Sequence, residues 1–445
     1  MKRNNQGFSC YVVMVCLAVI GAGIDGSATA SWTFTEINWS PGGSGDDDSI
    51  YQIAWRPQGD YALIAAGDGI FRYNHDTGTL EYLDLGSRNA RGVQWSQAGD
   101  YALITNIGQL YRYDHAATGF GPITTITDIQ ASGTVTFYEV VFSPDVGNPQ
   151  AYITANRAGT SSSHQLTLFR YDPLGSPQVY ADYSGGTTYA MSSAFGGISA
   201  AFQADGDYIV LSNKVANGYN EGIFVYDPDQ STFPKEAAGN MQWFSRTSYL
   251  GNACAVTMGR APGQRFVLVK GNGYTQRTTQ AGVPASFVNW DQPGPSPHMS
   301  LYSGDADYSY DGMMGIVVER DTSNPYHRIG TFDGVGDAVA GVDLIGLPIQ
   351  RSISLLAVAW HPSTHTGLIG GQDRWLILFM YTGPTATPSA TPTMTSTPTV
   401  PPITPVATDT PFPSVPATSG TGIGLMALII GTAAATLPAR RHHRS

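Results

Sequence analysis

The residues best suited to chemistry in this 445-residue chain are acids and histidines in short runs. Asp305-Ala306-Asp307-Tyr308-Ser309-Tyr310-Asp311-Gly312 has the acid density of a calcium loop. Its spacing fails, because the glycine of such a loop must follow the third acid at position six. Asp311-Gly312 therefore reads as a turn between strands. Asp46-Asp47-Asp48 reads as a solvated loop, not a ligand cluster. His361 and His365 stand four apart, but their setting is a turn and no Glu joins them as a zinc protease motif requires. His75 and His115 recur at matching turns, which argues for turn structure. Gly271-Asn272-Gly273 lacks the strand–loop–helix setting of a phosphate cradle, and no Gly-x-Ser-x-Gly elbow is present. Nothing points to a nucleophile, an acid–base pair, a metal site or a cofactor, so the motifs lean away from an enzyme.

What the chain does carry is a repeat. Trp55 to Asn74 and Trp95 to Asp114 are near copies: each has a Trp, a short turn, Gly-Asp-Tyr-Ala-Leu-Ile, and an aromatic-Arg-Tyr-Asx ending. The aromatic-Asp ending returns at Phe169-Arg170-Tyr171-Asp172, Phe224-Val225-Tyr226-Asp227, Trp290-Asp291 and Phe332-Asp333, and without its acid at Phe379-Met380-Tyr381. The first strand and its turn return at Phe142 to Asp145, Phe202 to Tyr208, Tyr308 to Gly312 and Trp360 to Pro362, and are degraded only near Val256 to Val269. A period of about 40 residues built from short strands is the signature of a propeller blade, and the units number seven. In the first unit the strands are expected at Ile50–Trp55, Tyr61–Ala66, Ile70–Asn74 and Thr79–Leu85, designated a to d.

Composition agrees. With 52 Gly, 24 Tyr and only 13% charged residues, the chain suits many strands and tight turns more than helices. A formal net charge of -11 argues against a nucleic-acid partner, which needs a basic footprint. Residues 1–30 read as a signal peptide: Lys2 and Arg3, an apolar stretch from Tyr11 to Ile24, and a cleavage site ending at Ala30. Its removal takes Cys10 and Cys16, leaving Cys254 as a buried small apolar residue without a disulfide partner.

Trp32 to Trp39 alternates like a strand but belongs to no repeat, while the last repeat has three strands before composition changes. The lone strand is expected to complete the last blade, which would close the ring and leave no unpaired edge at the join. The expected fold is therefore all-β: a seven-bladed β-propeller of four-stranded blades over residues 31–382, closed by the N-terminal strand. On the aromatic-Asp endings, with Trp290-Asp291 the one literal Trp-Asp, and on the Ser143-Pro144-Asp145 turn, the chain resembles the WD40 family of seven-bladed propellers. It departs from that family in lacking the Gly-His before strand a. The repeated Ser-x-Asp-x-Gly box of sialidase-type propellers is also missing.

Residues 383–414 are Pro- and Thr-rich with a single charge, Asp409, and are expected to form a disordered, polyproline-like stalk. At about 3.1 Å per residue it would reach on the order of 100 Å. Residues 415–445 hold an apolar run, Ile423 to Leu437, expected as a hydrophobic helix, then Arg440-Arg441-His442-His443-Arg444. This ending resembles a bacterial three-part sorting signal, with Val415 and Pro416 where the motif would stand; a permanent membrane anchor is the alternative.

The b–c and d–a connections lengthen in the later repeats (Asn156 to His164, Asn213 to Glu221, Gly271 to Pro284, Glu319 to His327) while the a–b turns stay short. Variable loops on one face of a uniform scaffold are what a grafted binding face looks like. Tyr219, Trp243, Arg246, Tyr249, Tyr274, Arg277, Tyr326 and His327 are the candidate contact residues there. The expectation is an extracytoplasmic, envelope-anchored, non-enzymatic module for a protein or glycan on the bacterial cell surface or in the periplasm. The alternative is a propeller enzyme of lactonase or glycosidase type, with its site at the mouth of the central channel.

Overall fold

The computed structural model describes residues 31–37, 49–67, 69–83, 85, 90–131, 134–145, 150–158, 164–184, 190–191, 198–202, 206, 208–213, 222–229, 253–258, 266–270, 275–278, 287–290, 303–319, 326–333, 343–350 and 355–383. All regular structure among them is β. In chain order the strands are β1 (Ser31–Ile37); β2 (Ile50–Trp55), β3 (Tyr61–Ala66), β4 (Gly69–Asn74) and β5 (Leu80–Leu83); β6 (Ala90–Trp95), β7 (Tyr101–Asn106), β8 (Gln109–Asp114) and β9 (Ile123–Ile126). They continue as β10 (Ile129–Gln130), β11 (Val135–Phe142), β12 (Ala151–Ala158), β13 (His164–Tyr171), β14 (Val179–Ser184) and β15 (Ala190–Met191), then β16 (Ile198–Phe202), β17 (Ile209–Asn213) and β18 (Gly222–Tyr226). The last are β19 (Ala253–Met258), β20 (Phe266–Lys270), β21 (Thr275–Thr278) and β22 (Phe287–Trp290); β23 (Ser303–Tyr308), β24 (Met314–Glu319), β25 (Tyr326–Asp333) and β26 (Asp343–Gln350); and β27 (Leu355–Trp360), β28 (Thr366–Gly371) and β29 (Leu376–Thr382).

These strands form seven antiparallel meanders. Five have four strands each; β16-β17-β18 has three among the described residues. The sheet of β11 to β14 gains β10, parallel to β14, and β15 beside β13. β1 pairs antiparallel with β29, from Ser31 opposite Thr382 to Ile37 opposite Leu376, so the β27–β29 sheet takes strands from both ends of the domain. The first strand of each sheet lies against the first strand of the next, from β2 through β6, β11, β16, β19 and β23 to β27, and β27 lies against β2.

The core sits between sheets. Tyr61, Leu63 and Ala65 of β3 face the sheet of β6 to β9, burying themselves with Val93, Trp95 and Tyr113, while Ala62, Ile64 and Ala66 face Ala357, Leu368 and Leu376. A strand buried on both faces needs no polar alternation, which is why Tyr-Ala-Leu-Ile-Ala-Ala reads as a continuous apolar run. Trp360, Trp375 and Phe379 fill the core between the β23–β26 and β27–β29 sheets, and Trp32 and Phe34 pack against its edge.

The turns follow the repeat. Gly59, Gly99, Gly206 and Gly312 all occupy the left-handed region, at φ 79°, 68°, 88° and 67°. A side chain there would be strained. The N–H of Gly312 donates to the Ser309 carbonyl at 2.9 Å, as Gly59 does to Arg56 and Gly99 to Ser96. Asp311-Gly312 is thus the a–b turn of its sheet. His75 and His115 likewise donate their backbone N–H groups to equivalent acceptors, the carbonyls of Asp60 and Asp100.

One assignment from the sequence is corrected. Trp290-Asp291 was expected to end a third strand, but Trp290 closes β22, the fourth strand of its sheet. Thr275–Thr278 pairs with β20 and takes the third place, so the connection before it spans only residues 271–274. The alternating run Thr-Gln-Arg-Thr was hidden by its lack of large apolar residues.

Candidate functional site: a polar layer shared by the first strands

One position recurs on every first strand, three residues before its closing large side chain: Gln52, Gly92, Glu139, Ser199, Ala255, Asp305 and Ala357. In six of the seven sheets the pairing slips beside it, between Ile50 and Gln52, Ala90 and Gly92, Phe137 and Val140, Ala253 and Ala255, Ser303 and Asp305, and Leu355 and Ala357. A β-bulge leaves backbone groups unpaired and re-aims side chains. Here side chains at this position take up N–H groups of the next first strand. The Gln52 Oε1 accepts the N–H of Val93 at 2.8 Å, the Glu139 Oε2 that of Ala200 at 2.9 Å, and the Asp305 Oδ2 that of Val358 at 3.0 Å. Each bond runs from one first strand to the next, at equivalent places.

Gln52 does more. Its Nε2 donates to the Glu139 Oε1 at 3.0 Å, spanning the intervening sheet. That reach depends on Gly92: a Cβ there would stand 2.2 Å from the Tyr138 carbonyl oxygen, 2.6 Å from the Thr105 Oγ1 and 3.1 Å from the Gln52 Oε1. Ser199 adds a side-chain hydrogen bond to Glu139.

The two acids of this layer keep a minor part of their area exposed but are enclosed by protein. Burial, then the nearby Asp305 charge, pushes the Glu139 carboxyl up to about 8, against the pull of the Ala200, Ser199 and Gln52 hydrogen bonds. Burial likewise pushes Asp305 up to about 7; the N–H groups of Val358 and Ala306 oppose this and Asp307 reinforces it. Asp307 repeats the linkage one step along, its Oδ2 accepting the Trp360 N–H at 2.8 Å.

The a–b turns are fastened sheet to sheet. Arg56 Nε donates to the Gly99 carbonyl at 2.7 Å and Gln58 Nε2 to the Ala98 carbonyl at 2.9 Å. His361, buried, donates from Nε2 to the Gly59 carbonyl at 2.8 Å and accepts the Ser363 N–H on Nδ1 at 3.2 Å, which fixes its tautomer. His365 Nε2 meets the Asp311 Oδ2 at 2.9 Å. The two histidines are latches, His365 to the sheet before and His361 to the first sheet. Farther out, Arg72 stacks 4.0 Å over Tyr61 and Arg112 4.2 Å over Tyr101, and both reach the next sheet, Arg72 at the Ala117 carbonyl and Arg112 at the Tyr171 hydroxyl.

Of the contact residues chosen from the sequence, Tyr219, Trp243, Arg246, Tyr249 and Tyr274 lie outside the described residues, as do Ala30, Val415, Pro416 and Asp46-Asp47-Asp48. Arg277 lies within β21, and Tyr326 and His327 open β25, with Tyr326 opposite Gln350. These three were expected in connections and stand in strands, because pairing continues through both alternating runs. Cys254 falls at the bulge of β19. Among the described residues no three His, Cys, Asp or Glu side chains gather as a metal would require, and no helix is long and apolar enough to cross a membrane. The shared layer escaped sequence reading. Superposing the repeats on their closing aromatic and reading three residues back would have found it.

No family model and no curated protein matches this chain. Among solved structures, the β-propeller domain of Cps50 (Swd1) from Myceliophteria thermophila is similar, with a TM-score of 0.52 and 12% identity, over 78% of this chain and 98% of that one. At that identity the likeness speaks for the fold alone, and the all-β domain has the fold of a β-propeller.

Proposed function

We propose that this chain is an extracytoplasmic, envelope-anchored, seven-bladed propeller that works as a non-enzymatic interaction module, presenting its b–c and d–a rim to a protein or glycan. The observation that carries the reading is the contrast between rims. The a–b connections vary little, from five residues (56–60) to eight (143–150); four share a left-handed glycine, and Arg56, Gln58, His361 and His365 cross-link turns of neighbouring sheets. Connections at the other rim run from two residues (67–68, 107–108) to the spans 214–221 and 291–302. A stiff disc with variable loops on one side is a scaffold for recognition. The circuit of first strands from β2 round to β27 and back supports seven blades in a closed ring.

Ser31 and Thr382 are partners, their hydroxyls 2.5 Å apart, and the Tyr381 N–H donates to the His365 carbonyl in the a–b turn. Ser31 and Thr382, the first and last strand residues of the described domain, thus lie together at the fastened rim. The signal-like residues 1–30, the Pro/Thr-rich stalk and the apolar, basic ending supply the envelope part of the proposal. Replacing 214–221 with the two-residue form of 107–108 should abolish partner binding and leave folding intact.

A second reading, a propeller enzyme acting at the central channel, is favoured by one observation: Glu139 and Asp305 are two enclosed carboxylates on first strands, with raised pKa values. Their oxygens are, however, already engaged by Gln52, Ala200, Ala306 and Val358. Lactone and glycoside hydrolysis that is present in the full chain and lost in Glu139→Gln would favour this reading over the first.

A further inference from the structure

We infer that Tyr310, Asp311, His365 and Tyr381 form a subsite for a neutral sugar residue, at the corner where the a–b turns of the β23–β26 and β27–β29 sheets meet.

Two turns make the corner. Residues 309–313 connect β23 to β24, and residues 361–365 connect β27 to β28. His365 joins them, its Nε2 donating to the Asp311 Oδ2 at 2.9 Å. The Asp311 Oδ1 is fixed in turn by the Ser309 hydroxyl at 2.6 Å and the Met313 N–H at 3.0 Å. On its other side, the His365 carbonyl accepts the Tyr381 N–H. Both tyrosine rings stand against the imidazole, Tyr310 at 4.9 Å and Tyr381 at 5.9 Å, centre to centre. The polar groups are therefore positioned by the protein before any ligand arrives, as a small-ligand site requires.

The corner is also open. Tyr310 is 38% exposed, and the side chains of His365 and Asp311 are 38% and 28% exposed. Tyr381 is partly buried, and Gly383 leaves room at its phenol: a Cβ there would stand 2.4 Å from the ring Cε1 and 2.6 Å from the hydroxyl. Burial, then the Asp311 charge, raises the pKa of that hydroxyl, which places the acid within reach of it. An exposed ring framed by a few fixed polar atoms is the composition of a ligand site.

The hydrogen-bonding roles set the class of ligand. A carboxylate only accepts, so the proton between Asp311 and His365 belongs to Nε2, and the neutral ring keeps a lone pair on Nδ1. Asp311 and Nδ1 therefore call for donors, while the two tyrosine hydroxyls can donate or accept. Sugar hydroxyls answer all of these, and the C–H face of a pyranose can lie on the Tyr310 ring. A proline-rich segment offers carbonyls without N–H groups and leaves the acceptors unanswered. An acidic sugar would meet the Asp311 carboxylate with like charge.

One stacking ring and a few polar atoms should hold a sugar residue at about millimolar strength. A site that weak adds nothing to saturable capture from dilute fractions. It is also independent of the b–c and d–a rim, so shortening 214–221 should leave sugar binding as in the wild type. The test is saturation-transfer NMR of the full chain with the methyl glycosides of glucose, galactose, mannose and N-acetylglucosamine, beside methyl glucuronide and an oligoproline peptide. At least one neutral glycoside should bind saturably, and the glucuronide and the peptide more weakly. Tyr310→Ala, which loses the stacking ring, and His365→Phe, which keeps a ring but loses the acceptor, should each weaken binding about tenfold, while Tyr310→Trp should retain it. In the wild type, the bound glycoside should slow nitration of Tyr310, a readout that needs no variant to fold. Absence of saturable binding by every neutral glycoside, tighter binding of the glucuronide or the peptide, unchanged binding in Tyr310→Ala, or nitration that the sugar does not slow would overturn the inference.

Discussion

Gln52 and Glu139 stand two sheets apart and meet at 3.0 Å because Gly92, on the sheet between them, has no side chain. Four first strands are fastened by that one arrangement: Gln52 also holds the Val93 N–H, and Glu139 the Ala200 N–H. A polar layer of this kind costs stability if half-made, because each buried partner left alone keeps its desolvation penalty. Its completeness here turns three bulges into joints.

Gly92→Ala should therefore destabilise the domain although the change is one methyl group. The new Cβ would press on the Tyr138 backbone at 2.2 Å, an atom that cannot swing away. An overpacked site of this kind costs about 1–3 kcal/mol. Urea unfolding should show a lower midpoint with an unchanged slope.

Loss of His361 should be felt at the other end of the first strands. With His361→Phe the Gly59 carbonyl loses its partner in a buried setting, and the Ser363 N–H loses one nearer the surface. A cost of about 1–3 kcal/mol is expected, and His361→Gln should recover part of it. Thermal unfolding of the two variants beside the wild type measures the difference.

Asp311 responds to pH in the opposite sense from the acids of the layer. Burial alone would raise its pKa, but the Ser309 hydroxyl, His365 and the Met313 N–H outweigh it and hold the carboxyl below its usual range. A carboxyl depressed in the folded state contributes stability above its unfolded pKa, and that contribution is lost as pH falls through the folded value. The Asp311–His365 pair is partly exposed, so its share should be small, under about 1 kcal/mol. Asp311→Asn should leave midpoints near pH 7 within that margin and remove a fall seen only in strong acid.

Trp32 tests the strand shared from the far end of the domain. It lies 4.8 Å from Tyr381 and 6.0 Å from both Trp360 and Phe379, ring centre to ring centre. Trp32→Ala removes a half-buried aromatic from the rim of that core, for about 2–3 kcal/mol, below the value for full burial. Unfolding should remain a single transition in this variant, since the sheet keeps its backbone ladder.

Much of the architecture was readable from residue order. The copies at Trp55 and Trp95 gave the period, and the alternation at Trp32 beside a three-stranded final repeat gave the pairing of β1 with β29. The exchange of third and fourth strands around Trp290 was not readable, because Thr275–Thr278 has no large apolar residue to mark it. Nor was the role of Asp305, which sat in a run whose acid spacing drew attention to metal ligation, while its partner, the Val358 N–H, lies 53 positions away. Glu139 was hidden for the opposite reason, as a lone acid inside Phe137 to Phe142 whose side-chain hydrogen-bond partners stand on β2 and β16. Joints between repeats depend on superposing them, and no local pattern contains that. The arginine of the aromatic-Arg-Tyr ending was quoted as part of the repeat, yet its stacking on Tyr61 and Tyr101 became visible only in three dimensions.

The proposal that recognition belongs to the b–c and d–a rim meets its most direct test in one comparison. The full chain and a variant with 214–221 and 291–302 cut to the short forms of 107–108 and 84–89 would be cross-linked in envelope fractions, and the captured protein and glycan counted. Capture that is saturable in the wild type and absent in a variant with the same unfolding midpoint is the predicted result. Equal capture by both, with folding intact, would contradict the account.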